Sequence, residues 1–349
     1  MSFFFTPMYL FFSLSINPFL FEVPDEFAEE NKYYKQLEEN IQKANISKCI
    51  ESLFREEKKN FELTQKELEE VKTHLSKRLF RGVDQKFSAD NLAKCLIKIN
   101  KGSSCCVVTT VDGSNLRNPE LIQQSIKNLE ALGFNGYFFY RIGGFPNPTG
   151  KEIRYAAVPY SFKIFLMLEA SKLGFSHVLW VDSRLIPIRS IDPIFDVIKK
   201  HHAFLIKDKV MVRANFLSPA LEKLTELTDL NPLIQYRITT PIFGLDFSFA
   251  PTVQVVNSYY KCCESGLPFL SVFPEEHVLS CIFSKYKNDF PYTDNLYPSK
   301  FKNLWLYDED ISPKNSLKFA QKKQFFFFGL SNKSQFHLTD LFFQKKRCP

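Results

Sequence analysis

Residues 177–195, HVLWVDSRLIPIRSIDPIF, join a strand-like apolar run to a charged turn. The run at 178–181 (VLWV) ends abruptly in Asp182, Ser183 and Arg184. Strands that are covered on both faces read as continuous apolar runs, and they belong to parallel sheets flanked by helices. In open α/β sheets, ligands bind beyond the carboxyl ends of the strands. Asp182 therefore has two interpretations: a ligand-binding group at this edge, or a polar residue that opens the turn before the next helix.

The chain around this stretch alternates apolar strands with amphipathic helices. The helices are marked by polar or proline residues at their starts and by glycine stops. The predicted elements are a strand at 105–111, a helix from Asn118 to Gly133, a strand at 136–142, a helix from Pro159 to Gly174, the strand before Asp182 and a helix from Asp192. This alternation predicts an α/β fold with a mainly parallel sheet flanked by helices.

Two acidic segments follow the predicted core of the sheet. Residues 239–251 (TTPIFGLDFSFAP) predict a strand and a turn at 244–246, followed by a helix that stops at Gly266. A later helix carries Glu275 and Glu276 in its first turn. The helix dipole alone favours acids at that position, so their presence does not require a catalytic role.

The first hundred residues differ from the rest of the chain. Residues 1–22 are apolar enough for a signal peptide or membrane anchor, but they lack a positively charged start and contain two prolines. The rival interpretation is an apolar segment docked on the main domain. Residues 23–100 predict a helical extension, and residues 101–349 predict the main domain. The protein is exported or membrane-associated if residues 1–22 are a signal, and otherwise cytoplasmic.

Composition and motifs exclude several classes of protein. The net charge is +7 over 349 residues and is spread along the chain, which argues against a nucleic-acid partner. The eight cysteines include two adjacent pairs and show neither a disulfide framework nor a C-x-x-C metal pattern. The chain also lacks the glycine-rich dinucleotide and P-loop motifs and the G-x-S-x-G nucleophile motif.

The segment VPYSFKIFLMLEASKLGFSHVLWVDS (158–183) combines a lysine-bearing helix, a Gly-Phe turn and a strand that closes on Asp182. In these features it resembles nucleotide-sugar glycosyltransferases of the GT-A fold, whose signature at this point is Asp-x-Asp. The likeness covers roughly residues 103–295. It implies that residues 101–349 are a catalytic domain that transfers a sugar, in the manner of a hexosyltransferase. The donor would be a nucleoside-diphosphate sugar, and the acceptor a hydroxyl group of a glycan, protein or lipid.

The sequence departs from this signature because Arg184 stands where the second acid would be. In metal-dependent members, carboxylates of the motif hold Mn²⁺ or Mg²⁺, which bridges the phosphate oxygens. A guanidinium can instead meet phosphate oxygens directly and supply fixed positive charge. Asp182 then either binds the ribose or holds a cation with help from elsewhere. The alternative is that Arg184 is a surface residue paired with Asp182.

The resemblance also implies roles for other residues by their positions. The implied donor contacts are Thr109, Thr110, Asp112, Arg154, Tyr160, Lys163, Ser183 and Arg184, and the implied catalytic or acceptor-facing acids are Asp182, Asp246, Glu275 and Glu276. A base among these acids would deprotonate the acceptor hydroxyl as it attacks the anomeric carbon. Two other functions remain open: a catalytically inactive binding or effector module of the same fold, and an envelope-associated structural protein.

Overall fold

The computed structural model describes residues 21–22, 93–111, 118–142, 162–211, 218–232, 235–269, 274–310 and 316–330. The strands are β1 (Phe21–Glu22), β2 (Ala93–Ile99), β3 (Cys105–Val111), β4 (Gly136–Ile142), β5 (His177–Val181), β6 (Leu185–Pro187), β7 (Ala203–Phe204), β8 (Lys207–Met211), β9 (Tyr236–Ile238), β10 (Ile242–Asp246), β11 (Trp305–Tyr307) and β12 (Phe327–Gly329). The helices are α1 (Asn118–Ala131), α2 (Phe162–Lys172), α3 (Asp192–His201), α4 (Ser218–Thr228), α5 (Ala250–Ser265), α6 (Pro274–Lys285), α7 (Thr293–Leu296) and α8 (Ser316–Lys322).

The central sheet has seven strands in the order β1-β2-β4-β3-β5-β10-β7. The three predicted strands, β4, β3 and β5, lie side by side and are parallel. The strands outside them, β2, β10, β7 and β1, pair antiparallel with their neighbours. The predicted α/β fold is therefore confirmed, but the sheet is mixed and only its centre is parallel.

Helices cover both faces of this sheet, and the side chains of β5 show why. Val178 and Trp180 are buried in one apolar cluster with residues of α2, α5 and α6. Leu179 and Val181 are buried in a second cluster with residues of α1 and α3. Burial of a large apolar side chain stabilises the fold by about 1.5–3 kcal/mol. The continuous apolar run of β5 thus reflects burial on two sides, as its sequence predicts.

The direction of β10 determines which residues reach the carboxyl edge of β5. Because β10 is antiparallel to β5, Ile242 lies opposite Val181 and Asp246 lies opposite His177. The amide of Asp182 donates a hydrogen bond to the carbonyl of Pro241 at 2.8 Å. The start of β10, and not its end, therefore adjoins the turn at Asp182.

A smaller sheet continues the chain beyond that turn. It has the order β11-β12-β6, and β6 begins directly after Arg184. The amide of Leu330, which follows β12, donates to the carbonyl of Arg184 at 3.1 Å. Strands β8 and β9 form a separate two-stranded sheet. The turn at 182–184 therefore lies where the central sheet meets the smaller one.

The boundary of the main domain differs from the predicted one. Residues 93–99 fell in the predicted helical extension, but they form β2, which pairs with β4 along its whole length. Ile97 and Ile99 are buried, and their spacing of two is typical of a strand. Residues 21–22 of the predicted signal or anchor (1–22) form β1, which pairs with β2. The rest of that segment and most of the predicted helical extension lie outside the described residues. Within the described ranges, no helix is long and apolar enough to cross a membrane.

Candidate functional site

The turn after β5 holds the Asp182 carboxylate in a defined position. Asp182 Oδ1 accepts a hydrogen bond from Trp180 Nε1 at 2.7 Å and lies 3.2 Å from Lys163 Nζ. The carbonyl of Asp182 accepts a hydrogen bond from the amide of Leu185 at 2.9 Å, which closes the turn. The side chain is 29% exposed, so one side of the carboxylate remains open to solvent. Asp182 therefore opens a turn and also presents a charge at the sheet edge.

Lys163 lies at the centre of a buried polar network. Its Nζ lies 2.9 Å from Glu275 Oε1, 3.2 Å from Asp182 Oδ1, and 3.2 and 3.3 Å from the carbonyl and hydroxyl oxygens of Thr240. Thr240 Oγ1 in turn donates to Glu275 Oε1 at 2.9 Å. Burial alone would lower the pKa of Lys163, but the Asp182 and Glu275 carboxylates outweigh it and raise the pKa. Lys163 is thus a permanently charged link between two acids that are distant in sequence.

The first turn of α6 supplies the acids of this network. Glu275 is buried, and Glu276 lies beside it with Oε2 3.5 Å from Arg237 Nε. Burial and the charge of Glu275 raise the pKa of Glu276 to about 7, although Arg237 and Lys163 act in the opposite direction. Glu276 is therefore a carboxyl group that exchanges a proton near neutral pH. Burial and the charge of Arg237 lower the pKa of the next residue, His277, to about 4, so its imidazole is neutral.

Arg184 supplies a cation at the same edge. Its guanidinium carbon lies 5.5 Å from the centre of the Tyr307 ring. In the part of the chain that the structure describes, Arg184 has no carboxylate partner. The predicted alternative, an ion pair between Arg184 and Asp182, is therefore not what the structure contains. Burial and the charge of Asp182 raise the pKa of Tyr307 to about 12, which keeps this phenol neutral.

The two threonines at the end of β3 have different environments. Thr109 is buried, and its hydroxyl has no hydrogen-bond partner among the described residues. It lines a cavity at the carboxyl edge of the sheet together with Ser125 and Ser183. The hydroxyl of Thr110 instead donates to the carbonyl of Arg141 at 3.1 Å. The cavity is mostly apolar and has room for about one water molecule, so it does not provide a ribose site at Thr109.

The residues at this edge do not form a site suited to the predicted Mn²⁺ or Mg²⁺. These cations need several oxygen ligands, and the position of the second motif acid is taken by Arg184. Oδ1 of Asp182 is already bonded to Trp180 and to the ammonium of Lys163. No group of three or more His, Cys, Asp or Glu side chains that could hold a metal occurs in the described ranges.

Asp246 lies away from this site, contrary to the prediction. Residues 244–246 form the end of β10 and not a turn facing an acceptor. Asp246 lies four residue steps along the strand from the edge at Ile242, which corresponds to about 14 Å. Its Oδ2 lies 3.0 Å from His202 Nδ1, and its Oδ1 accepts hydrogen bonds from Ser248. Burial would raise the pKa of Asp246, but these hydrogen bonds outweigh it and lower the pKa.

The structure brings eight of the predicted residues to one edge and adds others. They are Asp182, Ser183, Arg184, Lys163, Glu275, Glu276, Thr109 and Thr110, whereas Asp112, Arg154 and Tyr160 are outside the described residues. Residues at this edge that the sequence did not indicate are Trp180, Arg237, Thr240 and Tyr307. Thr240 could have been predicted at this edge if the antiparallel direction of β10 had been known. Tyr307 comes from the smaller sheet, and no sequence signal connects it to Asp182.

Comparisons with known proteins yield matches among solved structures. No family model and no curated protein matches this chain. The WbbM bifunctional glycosyltransferase is 12% identical over 68% of this chain and 47% of its own, with a TM-score of 0.36. A glycosyltransferase involved in glycosylation of the major capsid of PBCV-1 is 10% identical over 68% of this chain and 96% of its own, with a TM-score of 0.36. The galactosyltransferase LgtC, solved with donor and acceptor sugar analogs, is 9% identical over 68% and 94%, with a TM-score of 0.37.

The matched part of this chain spans about half the length of WbbM and nearly all of the other two proteins.

Proposed function

We propose that this protein is a glycosyltransferase that moves a sugar from a nucleoside-diphosphate donor to a hydroxyl group of an acceptor. The observation that carries the proposal is the presence of two kinds of group at one sheet edge. Arg184 is a cation without a carboxylate partner among the described residues, and Glu276 is an acid with a pKa of about 7. The transfer reaction needs both kinds of group.

The cation stabilises the leaving group. As the bond between the anomeric carbon and the phosphate oxygen breaks, the electron pair remains on the diphosphate, where negative charge develops. A fixed positive group aimed at that charge stabilises the transition state. The guanidinium of Arg184 can donate two hydrogen bonds to phosphate oxygens in a planar arrangement. Asp182 lies at the same edge, and its partly exposed carboxylate is suited to the ribose hydroxyls.

The acid activates the acceptor. The acceptor oxygen forms the new bond to the anomeric carbon and loses its proton to a base. A general base is most effective when its pKa lies near the working pH, and Glu276 meets that condition. Glu275 is bonded to Lys163 and Thr240, so it serves better to hold the network in place.

Calorimetric titration with UDP, GDP and their nucleosides tests the role of Arg184. Arg184→Ala should weaken binding of the matching diphosphate by about 10- to 100-fold, as expected for a charge-assisted hydrogen bond of ~1.5–3 kcal/mol. Binding of the bare nucleoside should be unchanged. Arg189→Ala is the matched control, because Arg189 also lies over an aromatic ring, 4.6 Å from that of Phe326, but on an exposed surface.

Turnover separates the proposed enzyme from its alternatives. The parent protein should release nucleoside diphosphate from the donor sugar when an acceptor is present. Diphosphate binding without any release from a panel of donors would favour the inactive binding module. Equal affinities of the parent and Arg184→Ala for the diphosphate would show that Arg184 does not contact the phosphates.

A further inference from the structure

We propose that the buried ammonium of Lys163 serves as the resident cation of this site, so that nucleoside-diphosphate binding requires no divalent metal. The inference rests on the proposed function for the identity of the ligand. It concerns Lys163 as a positioning residue, which holds Asp182 and Glu275 in place and need not touch the donor.

The first step is the position of the ammonium between two carboxylates. Lys163 Nζ lies 3.2 Å from Asp182 Oδ1 and 2.9 Å from Glu275 Oε1. The side chain of Lys163 is 4% exposed, and that of Glu275 is 8% exposed. Buried charges are tolerated when they are paired and hydrogen-bonded, and this lysine meets both conditions. It therefore compensates the two acids in the way that a bound cation would.

The second step is the saturation of the ammonium by protein oxygens. An ammonium group has three N–H donors. Four oxygens of Asp182, Glu275 and Thr240 lie within 3.3 Å of Lys163 Nζ. Its donors are consequently committed within the protein, which corrects the expectation that Lys163 contacts a phosphate.

The third step is the consequence for a divalent cation. Trp180 and Lys163 occupy Oδ1 of Asp182, so only Oδ2 is open to a metal ion, and that ion would lie close to a buried positive charge. Like charges at such short distances in a poorly solvated place repel strongly. Arg184 occupies the position at which the Asp-x-Asp signature would have supplied a second carboxylate. The positive charge that faces the diphosphate is then that of Arg184, and Lys163 keeps the neighbouring acids compensated.

Two measurements on the parent protein test this inference without depending on any variant. Affinity for the nucleoside diphosphate, measured by calorimetry, should differ by less than about twofold between buffer with EDTA and buffer with Mn²⁺. Electron paramagnetic resonance titration of the parent protein with Mn²⁺, in the absence of nucleotide, should show no Mn²⁺ site that depends on Asp182. The signals of the parent and of Asp182→Asn should therefore be the same.

The variant Lys163→Met tests the cause. Removing the ammonium leaves two carboxylates that are uncompensated, and hard oxygen ligands of this kind attract Mn²⁺. The variant should therefore acquire an Mn²⁺ signal in the resonance titration, and its diphosphate binding should become stronger when Mn²⁺ is added. Lys94→Met is the matched control, because Lys94 is 6% exposed and ion-paired with Glu169 at 2.7 Å, on β2, which β4 and β3 separate from β5. It should leave the metal response unchanged.

The outcomes separate this inference from the proposed function. Diphosphate binding that requires Mn²⁺ in the parent, or an Mn²⁺ site lost in Asp182→Asn, would overturn the inference and leave the glycosyltransferase proposal standing. Failure of every nucleoside diphosphate to bind, with and without metal, would overturn the proposed function and this inference with it. If Lys163→Met does not fold, the two measurements on the parent still decide the question.

Discussion

Replacing Glu276 by glutamine should make the stability of the protein less dependent on pH. The Glu276 side chain is 15% exposed, and its pKa is raised from 4.5 to about 7. A shift of this size corresponds to about 3 kcal/mol of preference for the protonated form in the folded state. The folded protein bears no such cost below pH 4.5, where the group is protonated in both states. The cost grows as the pH rises toward 7 and is constant above it.

Urea denaturation across this range measures the effect. Glutamine imitates the protonated acid, so Glu276→Gln and the parent should be about equally stable near the acid end of the range. At a pH above about 8, the variant should be more stable by up to about 3 kcal/mol. Glu264→Gln is a suitable control, because Glu264 is an exposed acid on α5. A constant difference between Glu276→Gln and the parent from mildly acidic to mildly basic pH would refute a raised pKa at Glu276.

The same variant bears on the mechanism. Because glutamine cannot accept the proton of the acceptor hydroxyl, Glu276→Gln should bind the nucleoside diphosphate normally and lose transfer activity. In the parent, the transfer rate should rise with pH through about 7 as the carboxylate forms. A variant that transfers sugar at the parental rate would show that Glu276 is not the base.

Two further predictions concern residues of β10 and the turn after β5. Asp182→Asn should abolish the rise in melting temperature that a nucleoside diphosphate causes and leave the far-ultraviolet circular dichroism unchanged. Asp246→Asn should lower the melting temperature but keep the ligand-induced rise. The opposite pattern would make Asp182 a turn residue only. Gly244→Ala should lower the free energy of unfolding by about 1–3 kcal/mol, since a Cβ atom there would lie 2.3 Å from Ile198 Cδ1. Adding Ile198→Val should recover part of that loss, and an unchanged urea midpoint for Gly244→Ala would contradict the close packing of α3 on β10.

The central strands were accessible to sequence analysis because their signals are local. The predicted strands at 105–111 and 136–142 coincide with β3 and β4, and the predicted helix from Asn118 coincides with α1. Apolar periodicity, helix starts and glycine stops each act over a few residues. Strand β2 was missed because Lys94 and Lys98 interrupt its apolar pattern. The charged sequence that precedes it also favours a helix.

The direction of a strand was not accessible in this way. The apolar pattern of 242–246 reads the same in a parallel and an antiparallel strand, so the prediction could not tell which end of β10 meets Asp182. The antiparallel pairing brings Pro241 and Thr240 to that edge and carries Asp246 to the opposite one. The antiparallel direction of β10 therefore places Thr240, and not Asp246, next to Asp182.

The sequence was sufficient for the order of strands and helices in the sheet centre and for the placement of Asp182 at a strand end, since backbone and side-chain preferences over short stretches fix both. The tertiary structure was needed to join Lys163 to Thr240, 77 residues later, and to Glu275 on α6. It was also needed to bring Tyr307 over Arg184. Such contacts depend on how whole layers pack. The ammonium of Lys163 contacts the carboxylates of Asp182 and Glu275 only when α2 and α6 are packed on the sheet.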